Sequence, residues 1–151
     1  MRVHVLERSQ RLPGPPEEVF GFFSEAYNLE DITPPFVGFE VVTPSPVDMY
    51  EGALIEYRLK LHGVRLNWLT RIDVWHPGVR FVDRQIRGPY RLWHHTHAFE
   101  PDGDDTLMRD IVRYALPLGP LGSLARILLV RRDLDRIFDF RQAEIARRFN
   151  K

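Results

Sequence analysis

Between Phe36 and Leu116 apolar residues recur at every second position, whereas from Ser123 to Phe149 they recur at helical spacing with no glycine or proline between them. This switch of period limits the fold more than any other feature. Strands with one apolar face must cover that face, and the terminal helix is the only long element available to do so. Taken as about 27 residues at 1.5 Å rise, that helix is on the order of 40 Å long.

The spacing predicts a first strand from Val3 to Gln10, ended by the turn Pro13 to Pro16. A helix then opens on proline, with Glu17 and Glu18 in its first turn and Val19, Phe20, Phe22 and Phe23 as its apolar set. A second short helix over Glu25 to Asp31 must stop at Thr33, because Pro34 and Pro35 cannot continue it. Six strands follow: Val37 to Thr43, Ala53 to Leu61, Val64 to Trp75, Val79 to Ile86, Arg91 to Glu100 and Thr106 to Leu116. On the third of the seven, Ala53, Ile55, Tyr57, Leu59 and Leu61 share a face; on the fourth, Val64, Leu66, Trp68, Ile72 and Val74 do. Ser123 is the expected N-cap of the terminal helix, whose stripe is Leu124, Ile127, Leu128, Leu134, Ile137, Phe138, Ile145 and Phe149. The expected fold is α+β, one domain over 1–151. A seven-stranded curved antiparallel sheet wraps a long C-terminal helix, with two short helices between strands one and two. One helix covers a curled sheet only partly, so a gap lined by aromatic and aliphatic side chains is expected between them.

Composition narrows the function. The chain has 21 basic and 21 acidic residues, so nucleic acid is not an expected partner. It has no cysteine, which removes disulfides, thiol chemistry and cysteine-ligated zinc. No stretch resembles a signal peptide or a membrane span, and a cytoplasmic location is expected. The basic residues are almost all arginine, several on the terminal helix; Arg126, Arg131, Arg132, Arg136, Arg147 and Arg148 read as a solvated face balanced by Asp133, Asp135 and Asp139. Transient membrane contact through that face is the alternative.

Further signals are Asn28-Leu29, Thr33-Pro34-Pro35-Phe36, Gly52, Phe81, Asp83, Gln85, Gly88-Pro89 and Trp93. They continue through His95, His97 and Phe99, then Thr106, Met108, Asp110, Val112, Tyr114 and the Leu116-Pro117-Leu118-Gly119 connection. With these the chain resembles, over essentially its whole length, the START-like or SRPBCC superfamily with its helix-grip fold. That superfamily includes the birch-pollen-allergen type, aromatic polyketide cyclases and coenzyme-Q-binding chaperones. The match is to a bacterial subfamily labelled polyketide cyclase or lipid-transport related. The resemblance implies a bound small hydrophobic molecule, and the label alone does not imply cyclisation.

Parity then singles out a polar cluster. If Phe81 and Phe99 face inward, so do Asp83 and Gln85, then Trp93, His95 and His97, and on the last strand Met108, Asp110, Val112 and Tyr114. Hairpin register puts Asp83 across from Trp93 or His95, and Asp110 across from His95 or His97. His94 has the opposite parity and is expected outside. Three readings stay open: a polar network that satisfies itself, groups that orient a ligand with acid-base work by His95, and a metal site built on the H-x-H spacing. No cofactor and no metal are expected, since such pairs are common without metals. The expected wall is Tyr57, Leu59, Leu66 and Trp68 on two strands, with Phe81, Trp93, Phe99, Met108 and Tyr114 on the others. The polar end is Asp83, Gln85, His95, His97 and Asp110, and Leu116 to Gly122 with Phe36 and Tyr90 form the expected entrance. The leading expectation is a non-enzymatic binder or carrier of a lipid, isoprenoid or polyketide-like molecule. The rival is a cyclase or dehydratase with His95 as base and Asp83 or Asp110 orienting it, and an interaction module is a third possibility. Oligomeric state is left open.

Overall fold

Alternation becomes a sheet when each apolar face can lie beside the next, and here every hairpin-length connection returns a strand to its neighbour. The computed structural model describes residues 2–117 and 124–150. Its elements are β1 (His4–Leu12), α1 (Pro16–Phe23), α2 (Asn28–Asp31), a 3₁₀ turn (Pro35–Val37), β2 (Glu40–Val41), β3 (Leu54–Leu61) and β4 (Val64–His76). They continue with β5 (Arg80–Arg87), β6 (Leu92–Asp102), β7 (Asp105–Ala115) and α3 (Leu124–Phe149). The seven strands make one antiparallel sheet in the order β1-β7-β6-β5-β4-β3-β2. This is the expected α+β arrangement, with a curved sheet, a long C-terminal helix and short helices between the first two strands.

Three local expectations change. The second strand shrinks to Glu40–Val41, because the turn begun by Pro34 and Pro35 takes up Val37 and leaves Gly38 in the left-handed region at φ 56°. The second helix starts at Asn28, whose side chain instead caps the end of α1 by donating to the Phe22 carbonyl at 2.8 Å. On β4 the register shifts between Ile72 and Val74, and Trp75 rather than Val74 packs against the core with Phe20 and Phe81. A β-bulge adds one residue and so flips the parity of everything beyond it. Ser123, the expected cap of α3, lies outside the described residues.

The core forms three clusters. Under α1, Phe20 and Phe23 pack on Phe81, Phe99 and Met108, with Ile145 of α3 closing the group. Towards the other end of α3, Leu134 and Phe138 pack on Trp93, Val112 and Tyr114. Across the sheet, Ile55, Tyr57 and Ile72 pack with Val41, Ala53 and Ala26. The α3 stripe is buried only from Asp133 onward: Leu124 and Leu128, expected on the core face, are 70% and 50% exposed, because the helix makes its buried contacts with the sheet from its third turn. No helix among the described residues is long and apolar enough to cross a membrane.

Candidate functional site

The three clusters leave a cavity between the sheet and α3, with a volume of about 160 Å³. Tyr57 and Leu59 of β3 and Trp68 of β4 line it from one side, and Phe81 and Trp93 from the floor. Leu134, Ile137 and Phe138 form its helical roof, and Leu29 of α2, Val37 of the 3₁₀ turn, and Ile32, Phe39 and Met49 of the connections come from the segments flanking β2. The connections were not part of the expected wall; the signal for them was the run of apolar residues around Pro34 and Pro35. Tyr90, expected at the entrance, lines the cavity and packs on Trp68 and Trp93 at ring-centroid distances of 5.7 and 4.9 Å.

Other residues of the expected wall lie elsewhere. Phe99 and Met108 sit under α1, whose aromatic residues fill that end of the sheet. Tyr114 is buried against Trp93 and stacks on His4. Leu66 pairs with Leu59 across the hairpin but lies outside the lining. Gln85 turns to its own hairpin, donating to the Tyr90 carbonyl at 2.6 Å and accepting from the Tyr90 amide at 3.0 Å. The hydrogen-bonding capacity expected in the cavity is thus spent on the turn at Gly88.

At the polar end the register is Asp83 opposite His95 and His97 opposite Asp110. The side chains bond diagonally. His95 Nε2 meets Asp110 Oδ1 at 2.8 Å, and His97 Nε2 meets Asp83 Oδ2 at 2.5 Å. The two imidazoles stack at 3.6 Å, and His97 stacks on Phe81 at 3.9 Å. Asp110 is buried behind His95 and does not reach the cavity, whereas Asp83, His95 and His97 all line it. His94 points to the other face, as its parity implies.

Arg141 completes the cluster from α3. It is buried, donating from Nε to Asp110 Oδ2 at 3.3 Å and from Nη2 to Asp110 Oδ1 at 3.2 Å, with His97 Nδ1 3.4 Å from Nη2. Sequence reasoning missed it. The available signal was spacing, since Arg141 stands on the stripe three residues after Phe138 and four before Ile145.

These contacts set the tautomers. Arg141 can only donate, so His97 Nδ1 accepts and His97 Nε2 carries the proton given to Asp83. His95 Nε2–H faces the Asp110 carboxylate, which leaves His95 Nδ1 towards Asp83 Oδ2 at 3.7 Å and the cavity. Burial, with the neighbouring His95, pushes His97 down to about 4 despite the Asp83 carboxylate. Burial alone would raise Asp110, but the Arg141 guanidinium and the His95 hydrogen bond hold it well below the usual carboxylate range. Asp83 is lowered too, burial being outweighed by His95, His97 and Arg141. Burial and the Asp83 charge raise Tyr57, so its phenol stays neutral.

Asp83, His95 and His97 each offer a ligating atom within 4.8 Å of the other two, close enough to suit a divalent cation after small shifts. Each of the three already makes one of the bonds above, while Asp83 keeps one carboxylate oxygen without a hydrogen-bond partner among the described residues.

Two contacts tie α3 to the β3 side of the molecule beside the cavity. The turn after Leu61 has positive φ at both His62 (51°) and Gly63 (81°), the form that suits a two-residue hairpin. It brings His62 Nε2 within 2.8 Å of Asp133 Oδ2 on α3. One turn along, the Arg136 guanidinium lies 4.4 Å over the Phe36 ring. Most of the expected entrance segment, residues 118–122, lies outside the described residues.

Comparison with known proteins agrees with this geometry. Residues 12–140 match the family model described as polyketide cyclase / dehydrase and lipid transport. Among solved structures, the Zhui aromatase/cyclase from Streptomyces sp. R1128 superposes with a TM-score of 0.71 at 15% identity, covering 99% of this chain and 94% of that one. The protein TTHA0849 from Thermus thermophilus gives 0.69 at 20% identity, covering 94% and 97%. A START superfamily protein from Mycobacterium smegmatis gives 0.66 at 14% identity, covering 97% of each chain. At these identities the structures share the fold with this chain. No curated protein matches it in sequence.

Proposed function

Because the chain belongs to the polyketide cyclase / dehydrase and lipid transport family, we propose that it binds and carries a small hydrophobic molecule between the sheet and α3. The observation that carries this reading is the cavity: aromatic and aliphatic walls closing on a buried polar end. An apolar cavity of roughly 150 Å³ accommodates a benzene-sized molecule, so this one fits a ligand of one or two rings or a short chain. Removing on the order of 250 Å² of apolar ligand surface from water contributes about 6 kcal/mol, from which the cost of immobilising the ligand is subtracted. Native mass spectrometry of the purified protein, with and without a lipid extract, tests it. Stoichiometric apolar adducts are expected; a protein that takes up none overturns the reading.

One observation favours a second reading, an enzyme of the cyclase or dehydratase type. His95 has Asp110 behind Nε2 and its other nitrogen towards the cavity, an arrangement suited to proton transfer. Asp83 would then orient the substrate. His95→Gln separates the two: a carrier keeps binding with altered affinity, whereas an acid-base enzyme still binds but loses roughly 100-fold or more in turnover.

A further inference from the structure

We propose that the cavity selects ligands whose polar group donates a hydrogen bond and bears no negative charge, so that a phenol or alcohol is taken at Asp83 and a carboxylate of the same skeleton is refused. The inference rests on reading the cavity as a ligand site and adds the chemistry of the ligand's polar end.

The first support is a count of unused valences. Asp83 Oδ2 accepts from His97, but Asp83 Oδ1 has no hydrogen-bond partner among the described residues, and the Asp83 side chain is 19% exposed where it lines the cavity. His95 Nδ1, bare when Nε2–H serves Asp110, is the second open acceptor. If His95 takes a proton, Nδ1–H turns to Asp83 Oδ2, and Asp83 Oδ1 still remains. Asp83 thus keeps an open, negatively charged acceptor at this end of the cavity in either state of His95.

The second support is charge. Among the lining residues Arg141 is the only permanent cation, and its Nε and Nη2 are both committed to Asp110. Two carboxylates face one guanidinium, so the cluster has an excess negative charge, and one protonated imidazole merely cancels it. An incoming carboxylate therefore meets the Asp83 charge while the one permanent cation of the lining is already paired with Asp110. A hydroxyl instead makes a charge-assisted bond, which is about twice as strong as a neutral one.

The test uses three probes on one skeleton, 2-naphthol, 2-methylnaphthalene and 2-naphthoate, with affinities measured by equilibrium dialysis at pH 7. Naphthol should bind roughly tenfold or more tightly than the hydrocarbon, and naphthoate more weakly than either. In Asp83→Asn, checked for folding by circular dichroism, the naphthol preference should fall below about threefold and naphthoate should gain. Naphthol no better than methylnaphthalene, naphthoate within about threefold of naphthol, or ratios unchanged in a folded Asp83→Asn each overturn the proposal while leaving the carrier reading intact. If Asp83→Asn does not fold, the wild-type ratios decide. Failure of all three probes to bind overturns this proposal, and the lipid-extract experiment then decides the carrier reading separately.

Discussion

Arg141 neutralises a carboxylate that the sheet places inside. Asp110 is 5% exposed and Arg141 6%, so each would be an isolated buried charge without the other. Arg141→Leu should cost about 3–5 kcal/mol in denaturant unfolding. Adding Asp110→Asn should recover a large part of that, and a double-mutant cycle that is simply additive would show that the pair is not coupled. His97 gives a pH signature. Its folded value lies at about 4 against 6.5 when free, so the unfolded chain binds more protons between those values. The stability this contributes is fully present above pH 6.5 and is lost as pH falls towards 4, on the order of 3 kcal/mol. Asp83 and Asp110, both lowered, add a further loss as pH falls through the ordinary carboxylate range and below it. Melting temperature measured against pH should thus begin to fall near pH 6.5, and His97→Asn should remove that first limb. The inward parity of Asp83, His95, His97 and Asp110 was legible in the alternation. Their diagonal bonding was not, because parity gives a face and leaves the rotamers to packing.

At the scale of elements, α3 has two unequal parts. Its first two turns expose Leu124, Leu128 and Leu129, while Leu134, Phe138, Arg141 and Ile145 carry the contact with the sheet. Ile145→Ala should cost about 2–5 kcal/mol, whereas Leu124→Glu and Leu128→Glu should each stay within about 0.5 kcal/mol in chemical denaturation. The helix is also gripped by β1: Arg8 reaches Asp139 at 2.6 Å and Asp135 at 3.1 Å, and Gln10 donates to the Gln142 carbonyl at 2.7 Å. Two acids that sequence alone assigns to a solvated face thus hold helix to sheet. The apolar period made the helix and its stripe legible from Leu134 to Ile145. It could not show where along its length the helix meets the sheet. The β4 bulge was equally illegible, since an inserted residue leaves composition and average period almost unchanged.

For the whole molecule, the decisive quantity is the distance between α3 and the sheet. The contacts of His62 with Asp133 and of Phe36 with Arg136 join the two layers beside the cavity-lining residues Leu61, Val37 and Ile137. Phe36→Ala should therefore speed both uptake and release of a bound probe several-fold in stopped-flow fluorescence, with the equilibrium affinity changed by less than about threefold. A large change in affinity with unchanged rates would place Phe36 in the binding wall instead. The sequence by itself determined the order of elements, the antiparallel pairing and the face of the strand residues outside the β4 bulge, because period, turn residues and short connections are local properties. Only the tertiary structure decided which inward residues border a cavity and which are core. Phe99 and Met108 have the same inward parity as Trp93 and His95, yet α1 covers the first pair while the second lines the cavity. It also decided that Arg141 joins the buried acids. Alternation says which way a side chain points; what stands opposite depends on elements distant in the chain.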